Sequence, residues 1–214
     1  MTDHSLPQAT EGVIKFRLDF HPALPPASAI ITELNAWRTL LYRLALTGRH
    51  PRRYGGLAYG NVSQRETQDR FFISGTQTAH KERLTVKDYC LVLDFDLQGN
   101  WIRAEGPIRP SSETLTHAAI YAANAGAKSV LHVHSPEIWE WHRSLGIPAT
   151  RIDIAYGTPE MARAIQEAML EGDAPIICMR GHQDGVIAFG RSAEEATLCL
   201  VQHLGRAFGL ASPD

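Results

Sequence analysis

The run Val130-Leu131-His132-Val133-His134-Ser135-Pro136 limits the possible folds of this chain more than any other stretch. Its alternation reads as a β-strand. Side chains of a strand point to the two faces in turn, so Leu131 and Val133 share one face and His132 and His134 share the other. The apolar face needs a hydrophobic layer laid against it. The other face needs partners for two imidazoles, which are either hydrogen-bonding groups at a sheet edge or a metal ion.

The rest of the chain supplies elements to build such layers. Ser28 is placed to cap a helix in which Ile31, Leu34, Trp37, Leu41 and Leu44 recur at helical spacing as far as Gly48. Short strands are expected around Leu57–Ser63, Phe71–Ser74 and Tyr89–Asp96, followed by a turn at Gln98-Gly99-Asn100 and another strand. From Ser111 the pattern becomes helix, strand, helix, then helix, strand, strand, helix. Ser111 or Ser112 caps a helix to about Asn124, and Lys128–His134 is the histidine strand. Thr158-Pro159 opens another helix, with Gly172 just past its end. The apolar runs Ile176–Met179 and Val186–Phe189 follow, and Ser192 with Glu195 makes a capping box for a C-terminal helix. Strands and helices mixed in this way predict a layered α/β or α+β fold.

With 214 residues and 44% hydrophobic content, one domain is expected over 27–214, preceded by a lead-in over 1–26 that ends in the proline-rich His21–Pro26. The net charge of -2 gives no general attraction to nucleic acid or to an anionic membrane. Cys90, Cys178 and Cys199 are far apart and read as reduced thiols. The N-terminal segment has neither the basic start nor the apolar centre of a signal peptide, and no run is long enough to span a bilayer, so a soluble cytoplasmic protein is the expectation.

A catalytic zinc site typically takes three protein ligands and leaves a position open. The two strand histidines therefore need a third. His182, among the turn formers of Gly181-His182-Gln183-Asp184-Gly185, follows a strand-like run and can reach a neighbouring strand end. His117, His142 and His203 fall on expected helices, and His50 and His80 in loops. Glu113 stands at a helix start, where the dipole favours negative charge, and is the candidate for moving protons. Ser111 and Ser112 beside it either cap the helix or help to cradle an anion. Gly60-Asn61 and the hydroxyl-rich Ser74-Gly75-Thr76-Gln77-Thr78 are loops where a backbone can approach a ligand, or else simple tight turns. Trp139 and Trp141 read as packing residues or as the lining of a pocket or subunit contact.

Taken in order, Gly60-Asn61-x-Ser63, the turn at 74–78, Ser111-Ser112-Glu113-x-x-x-His117, His132-x-His134 and the late His182 before Gly185-Val186 resemble the class II aldolase/adducin family over roughly residues 30 to 208. The resemblance implies a three-layer α/β/α domain with a largely antiparallel central sheet, assembled as a homo-oligomer, with a tetramer favoured. It implies one divalent ion per chain, zinc first and manganese or another ion as the alternative, held by His132, His134 and His182. Glu113 becomes the catalytic acid/base, and Gly60, Asn61, Ser74, Thr76, Ser111 and Ser112 become substrate contacts. The implied reaction is cleavage of a C–C bond in a small hydroxylated carbonyl compound, a sugar or sugar phosphate, through a metal-stabilised enediolate. Epimerisation, dehydration, decarboxylation or a non-catalytic adducin-like assembly role are the alternatives. Three features depart from the family pattern. No glycine directly follows Thr76 or Thr78. Gln183-Asp184 separates His182 from Gly185, which either tilts His182 or brings Asp184 near the metal. Ile147-Pro148 is followed by Ile152 where the aldolases carry a tyrosine, with Tyr156 farther on and no tyrosine in the C-terminal tail.

Overall fold

A computed structural model describes residues 12–172 and 175–212. The first eleven residues of the lead-in and the last two of the tail lie outside the described part. In chain order the elements are β1 (Arg17–Pro22), α1 (Ser28–Arg43), β2 (Gly48–Arg49), β3 (Ala58–Tyr59), β4 (Asn61–Arg65), β5 (Phe71–Ser74), β6 (Tyr89–Asp96) and β7 (Trp101–Gly106). They continue with α2 (Thr114–Ala123), β8 (Ser129–His134), α3 (Pro136–Trp141), α4 (Pro159–Glu171), β9 (Ile176–Cys178), β10 (Gly185–Gly190) and α5 (Ala193–Ala211). Eight strands form one sheet in the order β1-β7-β6-β5-β4-β8-β10-β9, while β2 pairs only with β3. Neighbours in the large sheet are antiparallel except β1 with β7, which run parallel.

The alternation in β8 sorts its residues between two helical layers. Leu131 and Val133 pack with Val186 and Ala188 of β10 and with Ile31, Leu34 and Leu200 from α1 and α5. Val130 and Ile187 turn the other way, against Leu115 and Ile120 of α2 and Met161 and Ile165 of α4. Helices therefore cover both faces, giving the expected three-layer α/β/α arrangement. Every residue of β8 is buried between β4 and β10, so its histidines lie inside the sheet and not at an edge.

Several boundaries differ from expectation, each for a local reason. Within the stretch read as a lead-in, Arg17–Pro22 forms the edge strand β1 on β7. Helix α1 begins after Ala27, without a side-chain cap, and stops at Arg43. Ala45 then takes a φ of 56° that turns the chain away, leaving Leu44 40% exposed and Gly48 to start β2. The expected strand Leu57–Ser63 is broken at Gly60, whose φ of 84° few side chains tolerate. A Cβ there would lie 2.7 Å from Thr47 and 3.1 Å from the His132 carbonyl.

The cap of α2 is Glu113 and neither serine. Ser111 instead makes a turn ahead of the helix, its carbonyl accepting from the Thr114 amide (3.2 Å) and hydroxyl (2.6 Å). At the other end of α2 the buried Arg65 donates to the carbonyls of Tyr121 (2.7 Å), Asn124 (2.8 Å) and Ala127 (2.7 Å), satisfying acceptors that the helix leaves open. Ser192 does cap α5 by accepting from the Glu195 amide (3.1 Å), but Glu195 reaches back to the Arg191 amide and not to that of Ser192, so the capping box is only half made.

Candidate active site

His132 and His134 project from the end of β8 toward α2 and α4, and His182 arrives from the turn joining β9 to β10. That turn is set by backbone bonds. The His182 amide donates to Met179 (2.9 Å), the Gly185 amide donates to His182 (2.9 Å), and Asp184 takes a φ of 61° between them. Gly181 is needed for space, since a Cβ there would lie 1.7 Å from the Ile154 carbonyl oxygen. The result is three buried rings with centroids 4.8 to 5.1 Å apart.

One potential ligand atom from each ring lies within 4.8 Å of the others. Nitrogens around a tetrahedral zinc ion stand about 3.4 Å apart, given Zn–N bonds of about 2.0–2.1 Å, so the trio is spaced somewhat more widely than a bound ion would require. The donor set suits the ion. The Nδ1 of His132 donates to the Val186 carbonyl (3.2 Å), which makes Nε2 the nitrogen that carries the lone pair. Burial, and then the proximity of His182, hold the pKa of His134 well below the usual imidazole range, so that ring is neutral and able to ligate.

Glu113, at the start of α2, faces this trio. Its Oε1 lies 3.5 Å from His182 Nδ1, and its Oε2 accepts from the Thr116 hydroxyl (2.7 Å) one turn along the helix. Two tyrosines flank the imidazoles. Tyr156 stacks on His182 with centroids 4.6 Å apart, and Tyr54 meets His134 edge-on at 4.4 Å. Tyr54 also donates to Asp184 (2.7 Å), the second residue of the Gln183-Asp184 insertion.

Of the residues expected to contact substrate, Gly60, Asn61, Thr76, Ser111 and Ser112 line one shallow cleft, joined there by Gln77. Asn61 is paired in register with His132, and its buried Oδ1 has no hydrogen-bond partner among the described residues. Ser74 does not line the cleft, because its hydroxyl accepts from the Val62 amide (3.1 Å) and ties β5 to β4. Trp139 and Trp141 pack against the core, and the Trp139 indole donates to Met179 (3.3 Å). His117 is fully buried and joined to the Ser63 hydroxyl (2.7 Å), while His203 bonds back to Cys199 on its own helix.

Residues 47–204 match the model of the class II aldolase and adducin N-terminal domain. The chain belongs to the class II aldolase and adducin family. Among relatives of this class II aldolase-type protein, the L-ribulose-5-phosphate 4-epimerase of Salmonella paratyphi B is 31% identical over 127 residues, covering 56% of this chain and 54% of the epimerase. The chain thus spans about half the length of the epimerase relatives it matches. The methylthioribulose-1-phosphate dehydratase of Geobacillus kaustophilus is 31% identical over 165 residues, 64% of this chain and 73% of the dehydratase. The fold is that of an L-fuculose 1-phosphate aldolase, with a TM-score of 0.65 over 87% of this chain and 86% of the other at 18% identity. A sugar-phosphate aldolase from Thermotoga maritima gives 0.63 over 87% and 97% at 17% identity.

Among the described residues no helix is long and apolar enough to cross a membrane. Neither Tyr54 nor Thr116 stands out in the sequence. The sequence signal near Tyr54 is Gly55-Gly56, which marks a turn but not what the ring meets.

Proposed function

We propose that this class II aldolase-family chain is a metal-dependent lyase that breaks a C–C bond in a small hydroxylated carbonyl compound, a sugar or sugar phosphate. The observation that carries the reading is the convergence of His132, His134 and His182 within 4.8 Å, with the Glu113 carboxylate 3.5 Å from His182. The three imidazoles would hold one divalent ion, zinc first. A cation bound there polarises a carbonyl and its adjacent hydroxyl and offsets the negative charge that develops on oxygen. The protein's own share is binding, orientation and proton movement. Glu113 takes or returns the proton at Oε1, while the Thr116 hydroxyl fixes Oε2 and so leaves Oε1 on the side of His182. Gly60, Asn61, Thr76, Ser111 and Ser112 grip the far end of the substrate, by hydrogen bonds suited to a phosphate or a polyol. A homo-oligomer, a tetramer first, is the assembly that goes with this reading.

A second reading, loss of water in place of carbon–carbon cleavage, is supported by the 73% of the Geobacillus dehydratase that the chain covers. Both reactions use the same cation and carboxylate. The test has two parts. Protein purified without a histidine tag should carry about one divalent ion per chain, lost in His132→Ala; a metal-free, well-folded oligomer would favour the adducin-like assembly role. Proton NMR of products from L-fuculose 1-phosphate and methylthioribulose 1-phosphate then separates the reactions. An aldehyde plus a ketose phosphate fragment supports cleavage, and a dehydrated product of unchanged carbon count supports the second reading.

A further inference from the structure

Two non-glycine residues with positive φ meet at this site. Tyr54 has a φ of 53° and is followed by Gly55 at 65° and Gly56 at 74°, so three successive residues hold a left-handed backbone. Asp184, at 61°, occupies the position of a tight turn that favours glycine or asparagine. Strain of this kind persists only where surrounding contacts over-determine it, and it concentrates at functional sites. Here the two strained residues hold each other, Tyr54 Oη donating to Asp184 Oδ2 at 2.7 Å across 130 positions of sequence.

Each end of that bond reaches a different imidazole. Asp184 belongs to the turn in which the Gly185 amide donates to the His182 carbonyl (2.9 Å), and its own carbonyl accepts from the Ser135 amide (2.8 Å), directly after His134. Tyr54 lays its ring edge-on to His134 at 4.4 Å and packs against Tyr59 at 4.9 Å. We infer that the Tyr54–Asp184 hydrogen bond is a latch that sets the distance between His182 and His134 and thereby the affinity of the three-histidine centre for a divalent ion. Both residues act through the histidines they support and are positioning residues. The inference rests on the metal reading above but adds residues which that reading does not use.

The test compares wild type with Tyr54→Phe, Asp184→Ala, the double variant and Asp184→Asn. Zinc affinity is read by competition with a chromophoric chelator, and site geometry by the visible spectrum of the cobalt-loaded protein. Tyr54→Phe keeps the ring and removes only the hydroxyl. It should weaken zinc binding about tenfold, at the low end of what supporting partners of metal ligands contribute. Asp184→Ala should do the same and the double variant little more, because the two share one interaction. Asp184→Asn, which still offers an acceptor oxygen, should recover most of the affinity. Unchanged affinity in Tyr54→Phe, or additive losses in the double variant, would overturn the latch. A second readout needs no metal. In the metal-free protein, Tyr54→Phe should speed hydrogen exchange at the His182 and Gly185 amides, and unchanged exchange there would also overturn it. A wild type that takes up neither zinc nor cobalt would sink the metal reading, while the exchange data would still judge the latch.

Discussion

The carboxylate of Glu113, at the start of α2, and the imidazole of His182, in the turn between β9 and β10, face each other at 3.5 Å. Both are buried, so replacement of either acts in a water-poor setting. Glu113→Gln preserves shape and removes the proton acceptor. Turnover should fall by about 10²- to 10⁴-fold, the usual worth of a general acid–base group, with metal content retained. Thr116→Val, which removes the donor to Oε2, should lower turnover less. Steady-state kinetics beside metal analysis checks both, and a Glu113→Gln variant with normal turnover would remove it from the chemistry.

Gly181 marks the tightest approach near the centre. With 1.7 Å between a would-be Cβ and the Ile154 carbonyl oxygen, Gly181→Ala must push apart the segment around Ile154 and the turn carrying His182. We expect weakened metal binding and a destabilisation of about 1–3 kcal/mol, the usual range for overpacking. Urea unfolding and chelator competition measure the two effects. Equal stability and affinity would show that the two loops yield without consequence.

His117 sets a pH dependence whose sign follows from its burial. Desolvation lowers its pKa from 6.5 to about 3 in the folded protein. Between those values the unfolded chain binds a proton that the folded one refuses, so stability falls as pH drops through the window, by up to about 1.4 kcal/mol per unit. His134, also depressed, adds a slope of the same sign. In the presence of a chelator, urea unfolding of wild type should lose about 1.6 kcal/mol from this residue between pH 6.5 and pH 5. His117→Asn should show a correspondingly shallower slope, and an identical slope would remove His117 as the source.

Ser111 and Ser112 line the cleft with Gly60, Asn61 and Thr76. If the cleft grips a phosphate, Ser111→Ala with Ser112→Ala should raise KM for a phosphorylated substrate by about tenfold, one charge-assisted hydrogen bond or more, and change the dephosphorylated analogue far less. Equal changes for both substrates would end the anion assignment.

The layered fold and the shared face of His132 and His134 are readable from local rules, while His182 joins them in the sequence only through the order of motifs that resembles the family. Alternation in β8 orients His132 and His134 whatever the rest of the chain does. Proline at the first position of α4 and the cap at Ser192 start their helices where expected. What escapes such rules depends on distant partners. Nothing near Tyr54 indicates that its hydroxyl meets Asp184, and nothing near Arg65 shows that it closes the end of α2. The serines before α2 were expected to be caps because Ser at a helix start usually is one. Here the Ser111 hydroxyl accepts from the Glu113 amide (3.3 Å), ahead of the first helical turn, and Glu113 takes the boundary position. Ser74 looks like a ligand contact in a hydroxyl-rich turn until the pairing of β4 with β5 shows its hydroxyl engaged within the sheet.

The parallel edge pairing of β1 bears on how the molecule is made. Asp19 reaches Arg103 across 84 positions, from the strand that pairs in parallel with β7. During synthesis β1 must therefore wait unpaired until residue 106 has followed it. Such long-range closure is slow, and a waiting strand can pair with other chains. Yield from expression should thus respond to what is fused ahead of Arg17 more than to what is fused behind Ala211.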